Sequence, residues 1–285
     1  MKISVVLPAY NEERTMGEVV KEIYTVLDRE VEVVVVDDGS TDNTAKVAKE
    51  AGAKVIRNPY NMGNGAAIKR GLRVASYPIV VLMDADGQHL PSQILKLVEK
   101  IDDFDMVIGE RKGKQNWLRH LANRVYNLLG SYVSGIKIKD LTSGFRVVKK
   151  DKVMNFLYLL PNTFSYPATL TLSFIKAAYP IAFVPVEISP RKRGKSKINL
   201  FVDGIRFFII IIKISIFFSP LKIFLPVSIL FFILGSLYYL YTFINYHRFT
   251  NMSMLLFTTS VIIFMLGLIS EQIAHLRMER IEDSC

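Results

Sequence analysis

The chain has 285 residues and a mass of 32.4 kDa, which suits one globular domain with a smaller appendage. Its formal net charge of +10 favours an anionic partner, such as nucleic acid, an anionic membrane surface or a phosphate-bearing substrate. The only cysteine is Cys285, which excludes an intramolecular disulfide and fits a reducing cytosol.

Short apolar runs alternate with helical patterns over the first hundred residues, and the start shows no signal-peptide pattern. Four runs predict β-strands at 3–7, 32–36, 54–56 and 79–83. Apolar residues spaced three and four apart predict helices at 13–28, 41–51, 65–75 and 92–101. The alternation predicts an α/β fold whose mostly parallel sheet is covered by helices on both faces.

The next hundred residues are less regular. Strands are predicted at 106–108 and 182–188, and a helix at 118–133. Residues 189–199 read as a basic loop that contains glycine.

Residues 200–276 are dominated by Ile, Leu, Phe and Tyr. In 200–218 the polar side chains fall near one side of a helix, which favours an interfacial helix over the alternative of a buried core helix. Residues 223–244 and 252–269 carry no charge and have about the length of a membrane span. The predicted domains are a globular domain at 1–199, an amphipathic juxtamembrane helix at 200–220, a two-helix anchor at 221–276 and a tail at 277–285.

The flanking charges predict the orientation of this anchor. Four tyrosines between 238 and 246 resemble an interfacial aromatic belt, and the connection 245–251 has one arginine. Basic residues are concentrated on the other side: Arg206, Lys213, Lys222, Arg277 and Arg280. The positive-inside rule predicts a multi-pass protein of the cell membrane with its globular domain and both termini in the cytoplasm.

Polar segments follow the first four predicted strands, at 8–12, 37–41, 58–65 and 84–89. Ligands bind beyond the carboxyl ends of strands in sheets of this kind. Asp84 and Asp86 are hard oxygen ligands placed after an apolar strand, which suits Mg²⁺ or Mn²⁺ held together with a diphosphate. Gln88 and His89 are further candidate ligands.

The second and third segments are candidates for nucleotide contacts. A carboxylate in 37–41 can accept a hydrogen bond from a base or a ribose, although Asp37 or Ser40 as a helix cap is the alternative. Residues 61–65 precede a helix and can bring backbone N–H groups to a phosphate or ribose, or form an ordinary turn.

Four ordered motifs resemble the family 2 glycosyltransferases of GT-A fold, specifically the polyprenyl/dolichyl-phosphate sugar synthases. The motifs are Pro-Ala-Tyr-Asn-Glu at 8–12, Asp-Asp-Gly-Ser at 37–40, Asp-Ala-Asp-Gly-Gln-His at 84–89 and Ser-Gly-Phe-Arg at 143–146. The resemblance covers roughly residues 1–200.

This resemblance implies a role for each matching residue. The implied nucleotide-sugar contacts are Pro8, Tyr10, Asn11, Glu12, Asp38, Gly63, Asn64 and Asp84. The implied metal ligands are Asp84, Asp86 and Gln88. The implied catalytic residues are Asp86, Arg111, Arg119 and Asp140. The implied contacts to the acceptor phosphate are Arg111, Arg119, Asn123, Ser143, Arg191, Arg193, Lys195, Ser196 and Lys197. For the basic loop, a membrane-surface patch is the alternative.

The family's activity then becomes the expectation for this chain. It is the inverting transfer of a hexose or N-acetylhexosamine from a nucleotide sugar to polyprenyl or dolichyl phosphate at a membrane, with Mg²⁺ or Mn²⁺ as cofactor. Residues 61–67 look more like relatives that use UDP-sugars, so UDP-glucose or UDP-N-acetylglucosamine is favoured over GDP-mannose. A homo-oligomer is compatible with the family.

Three other functions compete with this expectation. A processive polysaccharide synthase is disfavoured because the chain lacks a Gln-x-x-Arg-Trp motif and has two predicted spans. A non-catalytic nucleotide-sugar or lipid-binding scaffold is disfavoured because the metal and nucleotide positions are intact. Nucleic-acid binding is disfavoured because no aromatic and basic residues interleave.

Overall fold

The computed structural model describes residues 1–27, 30–112, 117–162, 165–188, 212–213 and 215–282. The chain divides into two compact units, Met1–Asn199 and Leu200–Cys285. The basic loop predicted at 189–199 lies outside the described residues. So does most of the interfacial helix predicted at 200–218, of which residues 212–213 and 215–218 are helical.

The first unit contains a seven-stranded sheet in the order β3-β2-β1-β4-β6-β5-β7. Its strands are β1 Ile3–Ala9, β2 Val31–Asp37, β3 Lys54–Arg57, β4 Ile79–Leu82, β5 Met106–Lys112, β6 Arg146–Lys149 and β7 Ile181–Glu187. Neighbouring strands are parallel except where β6 pairs antiparallel with β4 and with β5. The predicted mostly parallel α/β sheet is therefore confirmed.

Seven helices in the described part of this unit connect and cover the strands. They are α1 Glu13–Leu27, α2 Thr44–Glu50, α3 Asn64–Val74, α4 Ile94–Val98, α5 Trp117–Ser134, α6 Lys150–Met154 and α7 Tyr166–Lys176. The single helix predicted at 92–101 is instead a 3-10 turn, Pro91–Gln93, followed by the short α4.

Alternate side chains of β1 point into two different cores, as the pleat requires. On one face, Val5 and Leu7 are buried in a cluster with Met16 of α1 and Ile94 of α4. On the other face, α3 packs so closely that a Cβ at Gly71 would lie 2.3 Å from Val6. Only glycine permits this approach, which brings the start of α3 to the carboxyl ends of β1 and β2.

Sequence periodicity missed three elements of this unit, β6, α6 and α7. Strand β6 has four residues, and two of them are charged. Helix α7 is buried over nearly its whole circumference, so it lacks the one-sided apolar stripe by which an amphipathic helix is predicted.

The second unit contains two long apolar helices, α8 Leu221–Tyr246 and α9 Asn251–Glu282. Each holds a 26-residue segment long and apolar enough to cross a membrane, Leu221–Tyr246 and Asn251–Leu276. A helix of that length extends about 39 Å, compared with about 30 Å for the hydrocarbon core. Small and polar side chains lie between the two helices, where the Ser228 and Ser260 hydroxyls each donate to the other's backbone carbonyl at 2.9 Å.

Helix α9 continues well past the predicted span at 252–269 and brings Glu271 to the start of α8. The Glu271 carboxylate accepts a hydrogen bond at 2.9 Å from the backbone N–H of Leu221, the first residue of α8. The first N–H groups of a helix have no partner within the helix, and its amino-terminal end favours negative charge. Glu271 therefore acts as a cap supplied by the neighbouring helix.

We expect Glu271→Ala to destabilise the first turn of α8 by about 1 kcal/mol, or about fivefold in amide protection. Hydrogen exchange of the full chain in detergent measures this protection. The exposed Glu279, on the same helix, provides the matched control variant Glu279→Ala. Equal protection in the two variants would contradict the capping role.

Candidate functional site

The strand order creates a crevice at the carboxyl edge of the sheet. Strand β1 lies between β2 and β4. The chain leaves β1 toward β2 on one side and leaves β4 toward β5 on the other, so the connections from these two neighbouring strands turn in opposite directions. Such a point is where open α/β sheets bind ligands. The polar segments at 8–12, 37–41 and 84–89 all follow strands that end here.

The loops after β1 and β2 are hydrogen-bonded to each other. The Asn11 side chain accepts from the Thr41 N–H at 2.9 Å, and the Asn11 N–H donates to the Ser40 hydroxyl at 2.9 Å. Asn11, a predicted nucleotide contact, thus supports the loop. Its neighbour Tyr10 is 46% exposed and accessible to a ligand.

Asp38 is buried and fixes the loop after β3. Its carboxylate accepts hydrogen bonds from the Asn58 amide at 2.6 Å and from the backbone N–H groups of Met62 and Gly63 at 2.9 and 2.8 Å. Gly63 has φ +99° and leads directly into α3. The structure therefore shows Asp38 shaping the segment that holds Gly63 and Asn64, while its direct contact to a nucleoside stays a prediction.

The alternative reading of Asp37 or Ser40 as a helix cap is wrong. The Asp37 carboxylate accepts from the Ser40 N–H at 2.9 Å, and the Ser40 hydroxyl accepts from Asn11. Asp42 instead binds the first N–H of α2, that of Thr44, at 3.0 Å.

Asp84 and Asp86 flank a buried alanine on the loop that follows β4. Ala85 is 3% exposed and its carbonyl accepts from the Thr15 hydroxyl at 3.1 Å, which ties the loop to α1. Asp86 accepts from the Gln88 N–H at 3.1 Å. Whereas Ala85 is buried, Asp84 and Asp86 on either side of it are both partly exposed.

The donor set at this loop fits a hard divalent cation that keeps other ligands. Among the described residues, no group of three or more His, Cys, Asp and Glu side chains is placed to hold a metal ion. Two carboxylates and the Gln88 amide oxygen leave positions for water and phosphate, as Mg²⁺ prefers.

His89 lies behind Asp84 and does not extend this donor set. Its Nε2 is 3.7 Å from the Asp84 carboxylate, and its ring packs on Phe145 at 5.1 Å between centroids. Desolvation acts to raise the pKa of Asp84. The hydrogen bond and charge of His89, with the charge of Arg111, outweigh it and lower that pKa. Asp84 is therefore held as a carboxylate.

Strand β6 brings the Ser-Gly-Phe-Arg motif against Asp84. Because Leu82 of β4 pairs antiparallel with Arg146, residue 84 lies opposite residue 144. A Cβ at Gly144 would lie 2.8 Å from the Asp84 carboxylate oxygen. Glycine is thus required at 144 for Asp84 to keep its position.

The other edge of β6 brings Arg111 to the same motif. Ile108 of β5 also pairs with Arg146, which places residue 111 opposite residue 143. Arg111 forms a two-pronged ion pair with the buried Asp140, from Nε and from Nη2, each at 2.8 Å. Its Nη2 also donates to the Thr142 hydroxyl at 2.5 Å.

This pairing gives Asp140 and Arg111 different roles. Although desolvation lowers the pKa of Arg111, the hydrogen bond to Asp140 and the charges of Asp140 and Asp84 raise it. Asp140 therefore orients a permanent cation. Since these contacts engage Nε and Nη2, the Nη1 group is the part of the guanidinium that can meet an anion.

Helix α5 holds the loop that carries Asp140. The Asn123 amide accepts from the Thr142 hydroxyl at 3.2 Å, and the Asn127 amide accepts from the Leu141 N–H at 2.9 Å. Asn123, a predicted phosphate contact, thus binds the loop. Arg119 lies in the first turn of α5, and its side chain is not among those described.

Arg146 and Tyr166 are buried polar residues that sequence reasoning did not identify as part of the site. Arg146 is fully buried and donates to the carbonyls of Ser143 and Pro167. Burial lowers the pKa of Arg146 to about 10, so its guanidinium stays charged at neutral pH. Its hydrogen bond to the Ser143 carbonyl holds the backbone of the motif in place. Burial raises the pKa of Tyr166, whose hydroxyl has no hydrogen-bond partner within the described part of the chain. The motif at 143–146 signalled Arg146, whereas nothing in the sequence signalled Tyr166.

The predicted phosphate-binding loop is not part of the described site. Its residues lie outside the described part of the chain: Arg191, Arg193, Lys195, Ser196 and Lys197. The described site therefore consists of the crevice at β1, β2 and β4, the motif at 143–146 and the Arg111–Asp140 pair.

Two family models match the chain. One, described as glycosyl transferase family 2, matches residues 4–157. The other, described as the GtrB C-terminal hairpin, matches residues 219–276.

The curated relatives include two whose names specify dolichyl-phosphate chemistry. A dolichol-phosphate mannosyltransferase of Pyrococcus furiosus is 37% identical over 214 residues, which are 70% of this chain and 60% of the relative. A dolichyl-phosphate hexose transferase of Haloferax volcanii is 31% identical over 71% of this chain and 89% of the relative. The chain spans less than two thirds of the length of the Pyrococcus protein.

Among solved structures, glucosyl-3-phosphoglycerate synthase of Mycobacterium tuberculosis is similar, with a TM-score of 0.61 and 25% identity. The match covers 75% of this chain and 80% of that one. The same enzyme has been crystallised with Mn²⁺ and UDP-glucose, in a form with 26% identity and a TM-score of 0.56 over 68% and 72% of the two chains.

We expect Gly144→Ala to weaken Mn²⁺ binding measured in the presence of a nucleoside diphosphate, because the added methyl group displaces the Asp84 carboxylate. If the methyl group acts through Asp84, Gly144→Ala causes no further loss of Mn²⁺ affinity when Asp84 is already replaced by alanine. Electron paramagnetic resonance of the bound ion measures all three variants. Additive losses would show that Gly144 acts elsewhere.

Proposed function

The chain belongs to glycosyl transferase family 2, and on that premise we propose that it transfers a sugar from a nucleotide sugar to polyprenyl or dolichyl phosphate at a membrane. The observation that carries the proposal is the arrangement on either side of residues 143–144. Carboxylates suited to a divalent cation lie on one side, and the oriented Arg111 lies on the other. Such a site offers cationic partners for two anions, the donor diphosphate and an acceptor phosphate.

Two observations support a lipid acceptor. The names of the Pyrococcus and Haloferax relatives specify dolichyl-phosphate chemistry. The described residues of the second unit form two helices of spanning length in the region matched by the GtrB hairpin model. The positive-inside rule supports a cytoplasmic first unit with both chain termini on the same side.

The donor side of the site would use the residues at the crevice. Tyr10, with Pro8 and Glu12, would contact the base and ribose, while Asp38 would hold the segment of Gly63 and Asn64 in place. Asp84, Asp86 and Gln88 would hold Mg²⁺ or Mn²⁺, which supplies Lewis-acid neutralisation of the leaving diphosphate.

On the acceptor side, Arg111 would bind the lipid phosphate through the planar fork that suits this anion. A phosphate monoester has a second pKa of about 6, so the acceptor is mostly ionised at neutral pH and needs no general base. Asp140 can therefore stay paired with Arg111, because the reaction does not need it as a general base. Arg119, Ser143 and the basic loop at 191–197 remain proposed contacts to the same phosphate.

The reaction follows as one displacement. An acceptor phosphate oxygen forms a bond to the anomeric carbon while the bond from that carbon to the diphosphate breaks. The nucleoside diphosphate leaves, and the anomeric configuration is inverted. Nearby carboxylates would stabilise positive charge that develops on the sugar ring.

We favour UDP-glucose or UDP-N-acetylglucosamine as the donor, with GDP-mannose as the alternative. Residues 61–67 and the UDP-glucose complex of the Mycobacterium enzyme support a uridine nucleotide. The name of the Pyrococcus relative supports mannose.

The proposal predicts metal-dependent labelling of a polyprenyl phosphate by the detergent-purified chain. Each of the three radiolabelled donors is supplied in turn, with and without Mn²⁺. Transfer from one donor, lost in Asp86→Asn, is the expected result, and labelling from GDP-mannose alone would contradict the preference for UDP. Donor binding without transfer from any donor would favour a non-catalytic scaffold.

The ion pair of Arg111 yields a second prediction. We expect Asp140→Asn to lower transfer by on the order of 100-fold at low acceptor concentration, because Arg111 loses its orientation. Donor binding should be unchanged, as measured by calorimetry. The matched control is Asp105→Asn, which removes a partly buried carboxylate from its 2.9 Å ion pair with Lys149. Equal losses in both variants would indicate destabilisation only.

A further inference from the structure

Three large side chains near Asp38 are exposed to solvent at the crevice. Tyr10, Tyr60 and Met62 are 46%, 65% and 39% exposed. Tyr10 directly follows β1, and the other two lie on the loop between β3 and α3. Single exposed apolar residues are ordinary on a protein surface, whereas a group of them beside a ligand crevice indicates a contact surface.

The backbone places Tyr60 against the loop that follows β2. A Cβ at Gly39 would lie 2.6 Å from the Tyr60 carbonyl carbon and 2.8 Å from its Cα, and Gly39 has φ +76°. Only glycine permits this contact. Two residues further on, the Met62 N–H donates to the Asp38 carboxylate at 2.9 Å. The backbone contacts therefore fix Tyr60 beside Asp38 and Gly39 and leave its ring exposed.

Tyr10 lies on the other side of the same loop. The Asp38 N–H donates to the Ala9 carbonyl at 2.8 Å, and β2 lies between β1 and β3 in the sheet. Neighbouring strands are about 4.8 Å apart, so the ends of β1 and β3 are about 10 Å apart across the end of β2. Two aromatic side chains at that spacing can enclose one flat ring.

Asp38 has little capacity left to recognise the polar edge of such a ring. Its carboxylate already accepts three hydrogen bonds, from Asn58, Met62 and Gly63, out of about four that a carboxylate can accept. Affinity for a flat ligand must then come chiefly from contact with its faces. Aromatic side chains provide such contact by stacking, which tolerates any nucleobase because every base has a π-face.

The loop of Tyr60 also leads to the carboxylates proposed for the metal. Asn64 is the first residue of α3, and its side chain is hydrogen-bonded to Asp84. Because only β1 separates β2 from β4, the ends of these two strands are also about 10 Å apart. A ribose with a diphosphate can extend over this distance. A base beside Tyr60 is therefore compatible with a diphosphate at Asp84 and Asp86.

We propose that the Tyr60 ring stacks on one face of the donor nucleobase, with Tyr10 on the other face. Tyr60 lies outside the motifs at 8–12, 37–40, 84–89 and 143–146, so it adds a binding residue to the donor site. The inference rests on the proposed function, because it takes the ligand to be a nucleotide sugar. Stacking requires the ring of Tyr60 and does not require its hydroxyl.

The test is calorimetry of the full chain in detergent with Mn²⁺, using UDP, GDP and inorganic pyrophosphate, which has no base. For the nucleotide that the wild type binds more tightly, we expect Tyr60→Ala to weaken binding on the order of tenfold. Pyrophosphate binding should be unchanged. Tyr60→Phe keeps the ring and should bind the nucleotide as the wild type does.

Tyr158→Ala is the matched control and should bind all three ligands as the wild type does. Tyr158 is a tyrosine of the same unit with 61% exposure. It follows α6, whose first N–H, that of Lys150, donates to the Pro78 carbonyl before β4, at the edge of the sheet opposite the crevice.

Three results would overturn the stacking. The first is equal nucleotide affinity in Tyr60→Ala and the wild type. The second is an equal loss in Tyr60→Phe, which would identify a hydrogen bond from the hydroxyl. The third is a parallel loss of pyrophosphate affinity, which would identify a change in the shape of the loop.

This binding test needs neither acceptor nor transfer, so it fails separately from the proposed function. The expected binding pattern in a chain that transfers no sugar would overturn only the enzymatic proposal. Active transfer with nucleotide affinity unaffected by Tyr60→Ala would overturn only the stacking. A wild type that binds pyrophosphate but neither nucleotide would overturn both.

Discussion

The antiparallel insertion of β6 is the constraint on which the site depends. Because β6 pairs with β4 on one edge and β5 on the other, it enters the carboxyl edge of the sheet with residues 143 and 144 leading. These two residues separate Asp84 from Arg111. A parallel strand in the same position would bring its carboxyl end to this edge. Residues 143 and 144 would then not lie between Asp84 and Arg111. The fully buried Arg146 at the start of β6 holds this arrangement through the carbonyl of Ser143.

Many polar residues at the site hold its loops and side chains in position through hydrogen bonds. Asn11 joins the loops after β1 and β2, Asp38 holds the loop before α3, and Asp140 holds Arg111. Burial of Asp38 and Asp140 is tolerable because each carboxylate is hydrogen-bonded. The result is a rigid frame in which few groups remain for ligands. Such preorganisation matters for a reaction between two anions, since the favourable charges must be in place before the substrates meet.

Much of the fold could be predicted from the sequence, because the parallel strands contain short apolar runs and most of the longer covering helices have a one-sided apolar pattern. The polar strand ends also identified Asp84 and Asp86. Strand β6 and helix α7 could not be predicted, since a four-residue strand and an all-round buried helix lack periodicity. The Arg111–Asp140 pair could not be predicted either, because it joins residues 29 positions apart through an antiparallel register. Arg111 was expected as a contact to the acceptor phosphate and Asp140 as a catalytic residue, and the structure pairs their side chains.

The most direct test of this account is a structure of the chain in a lipid nanodisc with UDP, Mn²⁺ and a short polyprenyl phosphate. The account predicts the lipid phosphate within hydrogen-bond distance of the Arg111 guanidinium, with the Asp140 pair intact. It also predicts the metal on the carboxylates of Asp84 and Asp86. A lipid phosphate bound away from Arg111, or an Arg111 that abandons Asp140 for solvent, would contradict it.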